Sequence, residues 1–338
     1  MSEEKSAVDQ AAVELLFGLT WGWLASRAIY VAAELGIADL LHDGPKTVDQ
    51  LASATGAHRQ SLYRLLRMLA GYGVFAEDRA GHFELTPAGA LLQTGALRDA
   101  ARMMNEADWN AYGNLLYSIK TGQPAFQHVH GMGFFDYLRA HPDAQVRFDR
   151  GMANFANEEN RVVASSYDFG KFRRIVDVGG GRGGLLAEIL KAYPSVKGVL
   201  YDEPQVVANP DYVRAAGVVD RCEVVGGNFF ESVPEGADAY VLKRIIHDWN
   251  DDTSAGILRR CRDAVLDGGR VIVVDAVVPA SNEFHFSKPV DLLMMVLLDG
   301  RERTEADFRE LFGRAGLKLN RIVATASVVS IIEGERTR

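Results

Sequence analysis

Apolar residues dominate the first forty positions without a matching polar face. Residues 8–42 read as largely apolar helix, with Trp21, Trp23 and Leu24 close together. A helix with so little local core to cover it is expected to bury itself against a second copy of the chain. A compact pattern follows. Thr47-Val48-Asp49-Gln50-Leu51-Ala52 reads as a short helix, because the Thr47 hydroxyl can accept from the free N–H groups of a first turn, and Gly56 breaks it. Arg59 to Leu69 reads as a second helix with Leu62, Leu65, Leu66 and Leu69 on one stripe, stopped by Gly71-Tyr72-Gly73. Val74–Ala76 and His82–Leu85 then predict a hairpin around Asp78-Arg79-Ala80-Gly81. Helix, turn, helix and hairpin together predict a winged helix.

Residues 100–165 read as mostly helical and carry many aromatic and methionine side chains, among them Met152 and Phe155. Most of these are expected to be core, with a few available to line an aromatic pocket, since pockets favour boundaries between domains. From residue 174 the period changes. Strands are predicted at 174–178, 198–202, 222–225, 239–245 and 270–278, separated by helices of which 185–193, 253–266 and 304–315 are the clearest. Strands alternating with helices imply a parallel sheet covered on both faces. The runs 319–325 and 328–333 are joined only by Ala326-Ser327, and so short a link permits only an antiparallel pair. The expected fold is therefore α/β: a Rossmann-like sheet ending in an antiparallel hairpin, preceded by a mostly helical winged-helix part. The expected divisions are 1–100, 101–168 and 169–338. Dinucleotide-binding sheets rarely end in such a hairpin; class I methyltransferase sheets regularly do.

Length agrees with two domains, since 338 residues exceed what one compact core usually holds. With 48% apolar and 24% charged residues, a large core is expected. The net charge of −8 argues against a broad nucleic-acid surface. The winged helix adds nothing to that side: residues 46–90 hold five Lys and Arg against four Asp and Glu, a net of +1, where a DNA-reading module normally shows a clear basic footprint. A dimerisation or lid role is expected instead. Cys222 and Cys261 fit no metal spacing and no disulfide framework, so both are expected as buried, reduced thiols of a cytoplasmic protein. The start, Met1-Ser2-Glu3-Glu4-Lys5, does not read as a signal peptide, and no apolar run reads as reaching about 18 residues. No membrane span is expected.

The most informative segment is Asp177-Val178-Gly179-Gly180-Gly181-Arg182-Gly183-Gly184, between the strand at 174–178 and the helix that follows. Glycines at a strand-to-helix turn let a backbone approach a ligand closely, and in an open α/β sheet this turn is where adenosine lies. Gly179-x-Gly181-x-x-Gly184 fits a dinucleotide fingerprint, while Asp177-x-Gly179-x-Gly181-x-Gly183 fits an S-adenosylmethionine loop. Asp202, 23 positions beyond Gly179, can accept from ribose hydroxyls of either cofactor, or cap a helix. Asn228 can meet an adenine edge, and Phe229 or Phe230 can cover its face or sit in the core. The carboxylate of Asp177 separates the options: it repels a pyrophosphate and attracts a sulfonium or an α-ammonium. With the terminal hairpin, it favours S-adenosylmethionine, leaving as S-adenosylhomocysteine.

The same segment resembles the first motif of the small-molecule O-methyltransferases of the caffeic-acid type, which include bacterial enzymes that decorate polyketides and phenazines. Asp202-Glu203-Pro204-Gln205-Val206 is similar to their ribose-binding segment, and Gly227-Asn228-Phe229-Phe230 to their adenine-binding segment, where Asp is commoner than Asn. Leu242-Lys243-Arg244-Ile245-Ile246-His247-Asp248-Trp249 is similar to their catalytic segment, and Gly300-Arg301-Glu302-Arg303-Thr304-Glu305 to the one holding their active-site glutamate. The resemblance covers nearly the whole chain and specifies the family, not a substrate. It implies a homodimer formed through the N-terminal part. It also implies that Lys243 lends its backbone near the adenine rather than its charge, and that Met152 and Met294 meet an aromatic substrate, for which flexible thioethers suit flat rings.

The chemistry follows from His247, just beyond the fourth strand at the carboxyl edge of the sheet. A phenol near pKa 10 is a poor nucleophile at neutral pH, and an imidazole near 6.5 is mostly neutral and can take its proton. Glu302 can accept from the other ring nitrogen and orient it, and the family pattern offers Asp275 as a second orienting acid. Asp248 either holds a substrate hydroxyl or caps the helix beginning near Asp251. The expected activity is S-adenosylmethionine-dependent O-methylation of a phenolic secondary metabolite. Two alternatives stand beside it: N-methylation of an aromatic heterocycle, which needs no base, and a winged-helix regulator that senses a small ligand. No metal cluster is visible, so no magnesium dependence is expected.

Overall fold

The protein is described from a computed structural model, which describes residues 9–337. The segment Met1–Lys5 lies outside the described residues. The chain forms two compact units: Met1–Asn105 with Asp143–Phe155, and Glu106–Pro142 with Ala156–Arg338.

The first unit opens with the helix Gln10–Glu34, whose first turn is capped by Asp9 accepting from the N–H groups of Ala11 and Ala12. Within this helix only Ala28, Ala32 and Ala33 are buried, while Leu15, Leu16, Phe17, Leu19, Trp21 and Trp23 are exposed. By length and composition alone the helix is apolar enough to cross a membrane, which corrects the expectation that no segment would be. Scattered Gly, Thr and Ser residues interrupt its apolar run without lowering its average character. Strand β1, Lys46–Thr47, leads into the helix Val48–Thr55, where the Thr47 hydroxyl and the Gln50 side chain cap one another's backbone. Gly56 ends this helix at φ 69°, a left-handed position. In the helix Arg59–Gly71, Leu62, Leu66 and Leu69 are buried and Leu65 is partly so. Strands β2, Phe75–Glu77, and β3, His82–Leu85, form the expected hairpin, and Asp78 closes its turn by accepting from the N–H groups of Ala80 and His82. The sheet order is β1-β3-β2. The two-residue β1 was not expected, being too short to carry an alternating pattern.

The second unit contains a seven-stranded sheet. Its strands are β4, Arg174–Val178; β5, Lys197–Asp202; β6, Cys222–Gly226; β7, Ala237–Lys243; β8, Val265–Ala276; β9, Leu317–Ala324; and β10, Val329–Arg336. The order β6-β5-β4-β7-β8-β10-β9 reverses between β4 and β7. Strands β4 to β8 pair in parallel, and β10 runs antiparallel to both β8 and β9, as the short Ala326-Ser327 link requires. Ligands of such sheets bind beyond the carboxyl ends at this reversal. Those ends carry Asp177, Asp202, Lys243 and Asp275.

Most element bounds move by one to three residues, and three differences have a clear structural cause. The predicted helix 253–266 is Asp251–Ala264, capped by Asn250, whose side chain accepts from the Thr253 N–H at 3.0 Å. Asp248 therefore does not cap it. Strand β8 begins at Val265 rather than Arg270, because a register shift opposite Ala237 and Ala239 absorbs the Gly268-Gly269 pair that reads as a loop. Strand β7 stops at Lys243, since Arg244 turns the chain at φ 54°, the one positive value among described non-glycine residues. Cys261 is buried as expected, but Cys222 is only partly so.

The terminal hairpin is tied to the rest of its unit by a buried carboxylate. Glu333 accepts from the Tyr167 hydroxyl, from Lys171 Nζ at 3.2 Å and from Arg321 Nη2 at 3.0 Å. Burial opposes its charge, but these three donors more than offset it and hold the carboxyl down to about 2. Its stabilising contribution is then present above the ordinary carboxyl range and lost as pH falls towards 2. Glu333→Ala leaves these cations without their shared anion. It should cost about 3 kcal/mol, the lower end for a broken buried pair because Arg321 stays half solvated. A lowered urea midpoint for this unit would show it.

Candidate active site

The glycine turn is held before anything binds it. Gly179 and Gly180 donate to the Tyr201 carbonyl, and Gly181 donates to Asp202 Oδ2 at 2.8 Å. Asp202 Oδ1 accepts from the Glu203 N–H at 2.7 Å. The Asp202 carboxylate thus ties the turn to the end of β5, and it caps no helix through its side chain. Gly179 and Gly181 stand at φ 67° and 59°, where a side chain would be strained. A Cβ on Gly179 would meet Ile245 Cδ1 at 2.4 Å and lie 3.5 Å from the Phe229 ring. This places Phe229 beside the turn. Phe230 instead packs edge-on against Trp249, centroids 4.8 Å apart. Asn228 is engaged within its own turn, accepting from the Phe230 N–H and donating to Glu231.

Asp177, at the end of β4, is buried, and its Oδ2 has no hydrogen-bond partner. Burial raises the carboxyl to about 7; Lys243 opposes that rise and Asp202 adds to it. An orphaned, buried carboxyl oxygen next to left-handed glycines fits a cationic ligand such as S-adenosylmethionine, which would favour its ionised form, and disfavours a pyrophosphate. The Lys243 ammonium is itself committed to Glu159 Oε1 at 3.0 Å, so its charge is used inside the protein. Glu159, buried on the helix Pro142–Ser166, also accepts the fork of Arg244 at 3.0 and 2.7 Å. The next residue, Asn160, presents a buried Oδ1 without a partner, and its Nδ2 lies where a Cβ on Gly184 would come within 2.6 Å. Sequence reasoning missed Glu159 and Asn160. Nothing in Glu158-Glu159-Asn160 distinguishes the buried members from the exposed Glu158.

His247 sits in the short 3₁₀ turn Ile246–Asp248 after β7 and is buried. Its Nδ1 lies 2.8 Å from Glu302 Oε1, and its Nε2 lies 3.4 Å from Asp248 Oδ1. Glu302 is buried, and its backbone N–H donates to Asp291 Oδ1 at 2.8 Å. Asp291 lies on the helix Ser287–Leu297, which also carries Met294, itself buried. Asp275, at the end of β8, is buried with both carboxylate oxygens unpartnered, so of the two candidate orienting acids it is Glu302 that bonds the imidazole. Burial raises Asp275 to about 7 and Asp248 to about 6. Met152 is partly buried in the first unit. Phe155 lies on the same helix, and its side chain is outside the described set.

The electrostatics revise one expectation. Burial alone would lower the His247 pKa, but Asp248, Glu302 and Asp275 overcome it and lift the imidazole to about 9, not near 6.5. Arg244 faces the same carboxylates and tempers them. At neutral pH most of the ring then carries a proton. A base of that strength lies within about one unit of a phenol, so proton transfer is close to balanced, at the cost of a small neutral fraction.

A seven-stranded sheet with this reversal and antiparallel end, a glycine turn with an orphaned carboxylate, and a buried His–Glu pair at its carboxyl edge define an S-adenosylmethionine-dependent methyltransferase. The comparisons bear this out. An O-methyltransferase domain model matches residues 112–318, and an O-methyltransferase dimerisation domain model matches residues 17–95. The chain belongs to the O-methyltransferase family and uses S-adenosylmethionine. It is 40% identical over 337 residues to a phenazine O-methyltransferase from Lysobacter antibioticus, covering 98% of this chain and 99% of that one. It is 37% identical over 334 residues to an 8-amino-8-demethylriboflavin N,N-dimethyltransferase from Streptomyces davaonensis, covering 96% of each. An O-methyltransferase of neocarzinostatin biosynthesis, solved with S-adenosylmethionine and 2-hydroxy-5-methyl naphthoic acid, superposes with TM-score 0.81 at 35% identity, covering 93% of this chain and 96% of that one.

Glu302→Gln keeps an acceptor for Nδ1 but removes a negative charge that favours the imidazolium. The His247 pKa should therefore fall, and the rising limb of kcat/KM against pH should move acidward by about one unit. A limb that stays in place would show that Glu302 does not set the charge of the ring.

Proposed function

We propose that this enzyme transfers a methyl group to a phenolic hydroxyl of an aromatic natural product of the polyketide or phenazine kind, with His247 as general base. The observation that carries this reading is the buried His247 Nδ1–Glu302 pair, which leaves Nε2 as the ring's proton-accepting edge. In this reading Nε2 would take the proton of the acceptor hydroxyl as that oxygen gains the methyl group, Glu302 would stabilise the imidazolium, and the donor, its methyl–sulfur bond broken, would leave as S-adenosylhomocysteine. Asp248 then holds a second substrate oxygen, in keeping with its place 3.4 Å from Nε2 and its release from any capping duty. Bound at the glycine turn, S-adenosylmethionine supplies the electrophilic methyl group on its sulfonium. Asp177, Gly179, Gly181, Asp202, Asn228, Phe229 and Lys243 form its site, with Asn228 exchanging a bond within its own turn for one to the adenine. Met294 meets the flat acceptor, in keeping with its buried place on the helix that carries Asp291.

Asp275 is a reserve of negative charge near the ring rather than its orienting partner, since both its oxygens lack a hydrogen bond. A second reading has specific support: the riboflavin relative methylates an amine. An aromatic amine that loses its proton after transfer does not need His247, so the variant separates the two readings. Incubation with labelled S-adenosylmethionine and a panel of hydroxyphenazines, naphthols and aromatic amines should label a phenol best. His247→Ala should then lower kcat on that phenol by about 10²–10⁴. Unchanged turnover would remove the base role and favour an amine acceptor.

The enzyme acts as a homodimer in this reading. Support comes from the dimerisation-domain match over residues 17–95 and from the apolar side chains exposed between Leu15 and Trp23. Leu16→Glu with Trp21→Glu should convert a dimer to a monomer in size-exclusion chromatography with light scattering. A dimer that survives both changes would place the contact elsewhere.

A further inference from the structure

Beyond the imidazole and its carboxylate, four consecutive residues grip the turn that carries His247. A Cβ on Gly300 would fall 2.1 Å from the His247 carbonyl oxygen and 2.6 Å from the Asp248 carbonyl carbon, so only a glycine lets the two segments touch here. The Arg301 N–H donates to that same His247 carbonyl at 2.9 Å. Glu302 takes Nδ1 of the ring. The Arg303 guanidinium donates to the Ile246 carbonyl at 2.8 Å and to the Trp249 carbonyl at 2.9 Å, one on each side of the His247-Asp248 pair. Ser254 Oγ reinforces both, at 3.1 and 3.2 Å, and itself accepts from Arg303.

Arg303 is 1% exposed, and its one carboxylate partner, Asp251, takes Nε at 3.0 Å and Nη2 at 2.8 Å. Burying a guanidinium among neutral carbonyls is costly, and an apolar side chain of similar volume would often fill such a space with no loss of stability. What an apolar side chain cannot supply is a rigid planar fork reaching two carbonyls and a carboxylate at once; a lysine ammonium, as a point charge on a flexible stem, cannot supply it either.

We propose that Gly300–Arg303 is a single clamp that sets the orientation of the His247 ring, with Arg303 as its positioning residue. The clamp fixes the carbonyl before His247, its own carbonyl and the carbonyl beyond Asp248, while Glu302 holds the ring from the same segment. Rotation of the imidazole about its backbone is thereby removed, and Nε2 is left pointing in one direction. This rests on His247 acting as the base, and the experiment separates the two claims.

Arg303→Lys, Arg303→Ala, Gly300→Ala and His247→Ala are compared with the wild type in the full-length enzyme. The readouts are S-adenosylmethionine affinity by calorimetry, kcat and KM on the best acceptor, and the His247 titration followed by ¹⁵N imidazole shifts. For Arg303→Lys the expected result is a kcat at least about tenfold lower, as displacement of a reacting group by an ångström or less can produce. Cofactor affinity and acceptor KM should stay within about twofold, and the His247 titration midpoint should move. Added guanidinium should restore part of kcat in Arg303→Ala. Gly300→Ala should reproduce the kcat loss by pushing the same carbonyl from the opposite side, and it decides the matter if the Arg303 variants do not fold. Wild-type kcat with an unmoved titration in Arg303→Lys overturns the clamp. So does parallel loss of cofactor binding and turnover in Arg303→Ala without recovery by guanidinium, since that is the signature of support for the fold alone. If His247→Ala keeps full turnover, the base reading falls, and the clamp is then judged by the His247 titration in Arg303→Lys.

Discussion

The second unit is organised around one buried contact, the 2.8 Å approach of His247 Nδ1 to Glu302 Oε1. Two groups that can both carry charge are removed from water there, and a buried charge left unpaired is strongly destabilising. Their neighbours compensate. Asp248 and Asp275 keep the local field negative, and Arg244 offsets part of it. Arg303 satisfies the carbonyls around the imidazole. The same field that stabilises the arrangement raises the imidazole to about 9. The structural requirement and the reactivity of the ring are therefore set by the same charges.

A second buried set lies near Asp177 and the glycine turn. Lys243 and Arg244 leave β7 side by side and share Glu159. The bidentate pairing accompanies the left-handed backbone of Arg244, which ends the strand and turns the chain towards His247. Glu159 therefore links the two ends: one of its cations borders Asp177, and the other borders the carboxylates around the imidazole. An acidic residue on a helix far upstream in sequence takes part in the charge balance of both Asp177 and the carboxylates around the imidazole. It does so through charge neutralisation rather than by contact with either.

An enzyme that methylates oxygen and one that methylates nitrogen share the chain over nearly its whole length. In the proposed reading, Asp248, Met294 and the imidazole are the groups that would meet the acceptor. In that same reading, charge on Asp248 and the imidazole would separate a weakly acidic hydroxyl, which must lose its proton early, from an amine, which need not.

Much was legible in the sequence, because local rules dictated it. The glycine turn, the cap at Thr47 and the antiparallel end of the sheet follow from backbone freedom, side-chain reach and link length. Asp177, His247 and Glu302 stand in ordered motifs. The strand limits at Lys243 and Val265 were not legible, since a positive φ at Arg244 and a shift in register are decided by partners. Neither were Glu159, Asn160 and Arg303. A charged or polar residue on a helix or in a turn reads as solvated until the fold surrounds it, and only tertiary packing removed these three from water. The same holds for the imidazole. Its presence was determined by the sequence, but its basicity was decided by three carboxylates that the fold brings to it from the ends of β7 and β8 and the turn before Thr304.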